Sequence, residues 1–278
     1  MEALKIHDAL DRLLTQGPIR GQVHSVFQKA LNIIDEENHL YTLLTSEMDD
    51  GPLAVTLSLK SFEESPFIKD QRILMTREEL RIPGHRIPLE NASRFSLLFP
   101  PYDPSPWCYR LIQETESILE RENQHGGSPY ERAVEKLLHE RLMDLTDAFQ
   151  KEDEDQILSF SKKLIGLGPG LTPSGDDVLL GMMLVLNLPG NPYEKYLPLF
   201  DQVLLEARDE TNLLSFHGLA RAREGFVRRN LLDFIKAILR EKEIEKEREQ
   251  VRAIGHTSGQ DILLGVLSLL KICLEKEK

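Results

Sequence analysis

The sequence is short of several things. It has only two cysteines in 278 residues, Cys108 and Cys273, far apart. That excludes a disulfide framework and a thiolate zinc site. Aromatic residues make up 6%, with a single tryptophan. Basic residues are outnumbered, 34 Lys and Arg against 46 Asp and Glu, for a net charge of -12. Such a chain is repelled by nucleic-acid backbones and anionic membranes unless it gathers a local basic patch, and no run of the sequence supplies one. Long apolar runs are missing too. The most apolar stretch, near Val178, follows acids and stops at Leu188, too short to span a bilayer. The opening MEALKIHDALDRLL is amphipathic without an apolar core, so it does not read as a secretory signal. The expectation is a cytoplasmic protein with no nucleic-acid and no membrane partner. Hydrophobic residues at 41% and charged residues at 29% exclude a disordered or collagen-like chain and suit one large domain or two smaller ones.

What is present divides the chain. Leu4, Ala9, Leu10, Leu13 and Leu14 predict a short helix over 3–14, ended by Gly17-Pro18. HLYTLLT (39–45) and PLAVTLSL (52–59) read as strands around an acidic turn, with further strands at 71–76 and 94–99. Prolines at 66, 83, 88, 100, 101, 104 and 106 punctuate the rest. FPPYDPSP, residues 99–106, reads as the linker. Beyond it, apolar residues recur at helical spacing over 107–122, 130–149, 152–165, 174–187, 193–208, 212–225, 230–252 and 259–274. The fold class expected is α+β, a small β-rich domain over 1–104 followed by a larger all-helical domain over 105–278. The charge run REKEIEKERE, 240–249, reads as a solvated helix end.

One signature occurs twice. Ser174-Gly-Asp-Asp-Val-Leu-Leu-Gly181 and Ser258-Gly-Gln-Asp-Ile-Leu-Leu-Gly265 share six of eight positions at an offset of 84 residues. Each follows a glycine-containing turn, GLGPGLTP or IGHT. A purely structural reading makes each Ser an N-cap, each Asp at 177 or 261 the return half of a capping box, and Gly181 and Gly265 points of close helix crossing. That reading leaves Asp176, the first-turn glycines and the run Gly166, Gly168, Pro169, Gly170 unexplained.

A functional reading accounts for them. Helix N-terminal amides bind anions, and Gly168, Gly170, Gly175 and Gly259 let an anion approach. Thr172, Ser174, Thr257 and Ser258 add hydroxyls, so the two turns, if they converge, make one site for a small anionic substrate. Asp176, Asp177 and Asp261 would repel an anion. They would not if they cap inward, if a cation such as Mg²⁺ bridges acid and phosphate, or if an Asp accepts from a substrate amide. These alternatives stay open. The segment lacks the Lys-Ser/Thr of a nucleotide P-loop. His256 is a candidate for proton transfer, and Arg208 or Arg221 for clamping a carboxylate. Thr211, Asn212, Ser215, His217 and Arg223 form the polar stretch around them. His24 and the two cysteines read as structural.

The double signature, GLGPGLTPSGDDVLLG ending at Gly181 and GHTSGQDILLG ending at Gly265, resembles the DUF2877 family, as does GQVHSVFQKALNI at 21–33. That family includes a subunit of the oxamate carbamoyltransferase of anaerobic allantoin breakdown. The resemblance implies transfer of a carbamoyl group between oxalurate and phosphate, giving oxamate and carbamoyl phosphate, in company with two further subunits. It carries over only to the signature segments and assigns no catalytic residue. Two other classes compete: a metal-assisted enzyme acting on a small phosphorylated substrate, and a non-catalytic scaffold or ligand-binding subunit.

Overall fold

A computed structural model describes residues 1–123 and 128–277. The first unit, Met1–Leu98 with Val227–Arg229, is built on one nine-stranded sheet. Its strands are β1 (Ala3–His7), β2 (Ile19–Val26), β3 (Ala30–Asp35), β4 (Leu40–Thr45), β5 (Ala54–Leu57), β6 (Arg72–Met75), β7 (Glu79–Ile82), β8 (His85–Pro88) and β9 (Ser93–Phe95). They lie in the order β8-β7-β6-β2-β3-β4-β5-β1-β9, antiparallel except for the β4/β5 and β1/β9 pairs. Helix α1 (Asp8–Gln16) buries Leu10 and Leu14 on the same core as Ile6, Val23, Ile33, Leu43, Val55 and Met75. In β6 and β7 every second residue is buried, the period-2 pattern of a sheet with one face in the core.

The expected helix over 3–14 is only half right. Ala3–His7 is a strand, and the helix begins at Asp8. Local spacing favoured a helix, but pairing with β5 and β9 places Ala3 and Ile6 in the core, and tertiary burial prevails over propensity.

The second unit, Phe99–Phe226 with Asn230–Lys278, is helical among the described residues. It comprises α2 (Cys108–Asn123), α3 (Pro129–Lys151), α4 (Glu154–Leu164), α5 (Ser174–Leu186), α6 (Phe200–Glu210), α7 (Leu213–Arg223), α8 (Arg229–Arg240), α9 (Glu245–Arg252) and α10 (Ser258–Lys276). An N-terminal β-sheet domain is thus followed by a larger all-helical one, an α+β chain. Both cysteines are free and buried, and burial pushes the Cys108 thiol up to about 12. No described helix is long and apolar enough to cross a membrane.

Two expected helices are broken. Residues 194–199 form a 3-10 turn before α6, since Pro198 has no N–H for an α-helical bond. The stretch 230–252 divides between α8 and α9. The Leu239 carbonyl accepts from Ser105 N–H at 2.6 Å and the Lys242 carbonyl from Arg110, so tertiary partners replace helical ones. Ser105 belongs to the proline-rich 99–106 segment, whose Tyr102 N–H also donates, to the Pro189 carbonyl.

Helix α5 is buried on nearly all sides, and α10 crosses it at two glycines. A Cβ on Gly181 would stand 2.2 Å from the Ile262 carbonyl oxygen, and one on Gly265 2.1 Å from the Val178 carbonyl oxygen. Positions 178 and 262 are equivalent in the repeat, as are 181 and 265, so the crossing is reciprocal. A methyl group there must push backbone apart. Gly181→Ala should destabilise the protein by about 3 kcal/mol or more, at the upper end of overpacking costs. Gly17→Ala, at an extended residue with nothing near, should stay within about 1 kcal/mol of the parent. Urea denaturation of the two variants tests the contrast.

Candidate functional site

The repeat is a repeated structure. Twice a helix, a glycine turn and a second helix follow one another, α4 to α5 and α9 to α10. Gly166, Gly168 and Gly170 in the first turn and Gly255 in the second take positive φ, from 58° to 114°. Gly175 packs on the Leu164 carbonyl at the end of α4, and Gly259 on the Val251 carbonyl in α9, each with no room for a Cβ. The turns fold back over the helix starts, and Gly168 and Gly255 lie against the side chains of Ser174 and Ser258.

The capping-box reading fails. Ser174 and Ser258 are the first helical residues; Pro173 and Thr257 occupy the cap positions, and neither start has a side-chain cap. The reason is a stronger use for the same groups. The serines and aspartates pair across the repeat instead of within it. The Ser258 and Thr172 hydroxyls act on Asp177, and the Ser174 hydroxyl acts on Asp261. The two turns touch directly, Thr172 Oγ1 to Ser258 Oγ at 2.6 Å.

The amide nest is narrower than expected. Gly175 N–H donates to the Leu167 carbonyl at 2.9 Å and Gly259 N–H to the Ile254 carbonyl at 3.0 Å. What the junction offers a ligand is hydroxyls and carboxyls more than free glycine amides.

The adjacent aspartates have different tasks. Asp176, 2% exposed, accepts from Gly166 N–H at 2.8 Å, Thr211 Oγ1 at 2.5 Å and Ser215 Oγ at 2.6 Å. It ties the first glycine turn to the start of α7. Asp177, 4% exposed, has one oxygen, Oδ2, buried with no partner; so has the half-buried Asp261. Burial pushes Asp177 up to about 8, with the Asp261 and Asp176 charges adding to it and the Ser258 and Thr172 hydroxyls opposing. Burial likewise raises Asp261, to about 6, opposed by Ser174 and helped by Glu135. At neutral pH Asp177 is a protonated acid, which removes much of the repulsion an anion would meet.

The remaining candidates are not drawn in. His256 and Thr257 are exposed, and His256 acts on Glu131. Arg208 is exposed at the end of α6, and Arg221 pairs with Glu224 at the far end of α7. Neither arginine is among the charges acting most strongly on Asp177 or Asp261. Asp176 is engaged by three donors. Among the described residues no group of three or more His, Cys, Asp or Glu is placed to hold a metal ion. Sequence reasoning missed Glu135 and the task of Thr211 and Ser215. The four-residue spacing of the latter pair, spanning a helix start, was the available signal.

Comparison with known proteins gives two matches. Residues 164–270, which contain both turns, match the family described as oxamate carbamoyltransferase subunit AllH. Residues 2–94 match the AllH family N-terminal domain. No solved structure matches the chain.

Two outcomes follow from the contrast between the aspartates. Asp176→Ala leaves buried donors without an acceptor and should cost about 3 kcal/mol or more. Asp177 behaves oppositely. Its ordinary carboxyl value is 3.8, so the unfolded chain loses that proton above about pH 4 while the folded chain keeps it to about pH 8. Folded protein therefore binds more protons across that window, and stability falls as pH rises, by up to about 1.4 kcal/mol per pH unit. Asp177→Asn should flatten that slope and be more stable than the parent at pH 8. Denaturation midpoints at pH 5 and pH 8 decide it, and an unchanged slope in the variant would refute the assignment.

Proposed function

Because the chain belongs to the AllH family of oxamate carbamoyltransferase subunits, we propose that it takes part in interconverting oxalurate plus phosphate with oxamate plus carbamoyl phosphate, the reacting groups being held at the joined starts of α5 and α10. The observation that carries this reading is Asp177, a buried carboxyl with an unpartnered oxygen where the two turns meet.

The chemistry needs one proton moved. A phosphate oxygen bonds to the carbamoyl carbon, the bond from that carbon to the oxamate nitrogen breaks, and the phosphate proton ends on the leaving nitrogen. Asp177, neutral at pH 7, donates to the nitrogen; Asp261, whose pKa is lower, takes the phosphate proton. Return of one proton from Asp261 to Asp177 resets the pair. The Thr172, Ser174 and Ser258 hydroxyls are the donors nearest to hand for the oxyanion of the tetrahedral intermediate. Arg208, Arg221 and His256 have no part in this scheme.

A phosphate dianion also requires positive charge, and no Lys or Arg is among the groups acting most strongly on either aspartate. In this reading that charge comes from another subunit of a multi-subunit carbamoyltransferase, and the chain alone is inactive. The test is carbamoyl phosphate formation from oxalurate and phosphate, with the chain alone and in its assembled complex. Only the complex should turn over, with a bell-shaped pH profile whose limbs fall near pH 6 and 8. Asp177→Asn and Asp261→Asn should each lower turnover by about 10²–10⁴-fold in a complex that still assembles. Turnover that survives Asp177→Asn would leave this chain as a non-catalytic subunit.

A further inference from the structure

The sheet unit holds a feature unconnected with the paired turns. A cleft of about 1150 Å³ opens on the face of β2, β3, β6, β7 and β8 that points away from the core. Residues paired directly across antiparallel strands share a face. The register Arg20↔Leu74, Leu74↔Arg81 and Arg81↔Arg86 therefore sets three arginines and a leucine in one row across four strands. Arg72, paired with Gln22, stands diagonal to Arg20. No run of the sequence supplies a basic patch. The sheet makes one from arginines scattered over 67 positions, from 20 to 86.

Three properties separate this cleft from ordinary surface charge. Most arginines of the chain find a carboxylate, as Arg12 finds Asp8, Arg94 finds Asp11 and Arg223 finds Asp201. Arg20, Arg72 and Arg86 have none among the described residues, and only Arg81 is paired, with Glu79. Next, Arg81 and Arg86 sit directly opposite each other, where like charges destabilise a sheet, and Glu79 offsets the charge of Arg81 alone. Last, the acidic wall is already engaged. Asp35 accepts from the backbone of Glu37 and His39 and from Tyr41, which leaves Glu36 as the other acid lining the cleft.

We propose that this cleft binds a small molecule carrying two or more phosphoryl groups on an uncharged body, the class that includes nucleoside di- and triphosphates. Guanidinium forks match phosphoryl oxygens in pairs. The half-buried Leu74 between the arginines, with half-buried Ile34 on the neighbouring strand β3, offers an apolar floor for the body. The row spans three strand spacings, roughly 14 Å. That is the reach of a nucleotide and far less than the face of a stable protein interface.

Calorimetry on the full chain at low salt, with ATP, inorganic pyrophosphate and adenosine as probes, tests this. ATP and pyrophosphate should bind and adenosine should not, and binding should weaken as salt rises. Arg20→Ala/Arg72→Ala, two exposed positions, should weaken ATP binding at least tenfold. Arg12→Ala, outside the cleft, should leave it unchanged. Absence of ATP and pyrophosphate binding at millimolar concentration would overturn the proposal. So would binding indifferent to the double substitution, or capture of polyglutamate in preference to pyrophosphate.

Discussion

Everything at the paired turns depends on two helices approaching closer than side chains allow. Gly181 and Gly265 each meet a backbone carbonyl of the other helix where a β-carbon would collide. That contact fixes the separation and rotation of α5 against α10. With the rotation fixed, residues seven positions N-terminal to those glycines are brought to the same end of the pair, and Ser174 and Ser258 fall within reach of the opposite aspartate. Gly175 and Gly259 repeat the device one layer out, pressing each helix start on the helix before it. Small residues here serve packing first, and the polar junction is a consequence of it.

A junction made this way is expensive. Burying an unpaired ionised carboxylate costs several kcal/mol, so the group keeps its proton instead. Asp176 shows the stabilising alternative one residue away, a carboxylate met by three donors. Nothing in the chemistry of the backbone prevents Asp177 from being satisfied likewise. Its open oxygen is therefore a cost that packing alone does not require, and such costs collect where a ligand or a reacting proton will use them.

Much of this was legible in the sequence. The repeat, its glycine turns and the change from strand to helix patterning near residue 100 are all periodicities, and the fold class follows from them. What stayed hidden was tertiary. Ala3–His7 carries helical spacing but becomes a strand because two neighbours pair with it. Residues 241–244 contain no breaker, yet α8 ends where carbonyls find partners from distant segments. The capping box fails for a sharper reason. Serine and aspartate three apart at a helix start carry the same local signal whether they bond to each other or to a second copy of themselves. Likewise no reading along the chain could gather Arg20, Arg72, Arg81 and Arg86, since only strand register makes them neighbours.

A repeated motif should give two equivalent acids, but it gives unequal ones. The repeat differs within its signature at two positions, and one of them is Asp176, which is Gln260 in the second copy. Asp176 draws the first turn onto Thr211 and Ser215, and its charge acts on Asp177. The second copy has an uncharged amide there and a half-buried aspartate, raised by burial and, less, by the Glu135 charge. The result is one carboxyl near 8 and one near 6 from the same eight-residue pattern. Two identical interacting carboxyls would titrate in two steps belonging to the pair, with no preferred direction for a proton between them. Burial first, then the Asp261 charge and last the Asp176 charge raise Asp177 above its counterpart, and in the proposed reaction that gap gives the proton a donor and an acceptor.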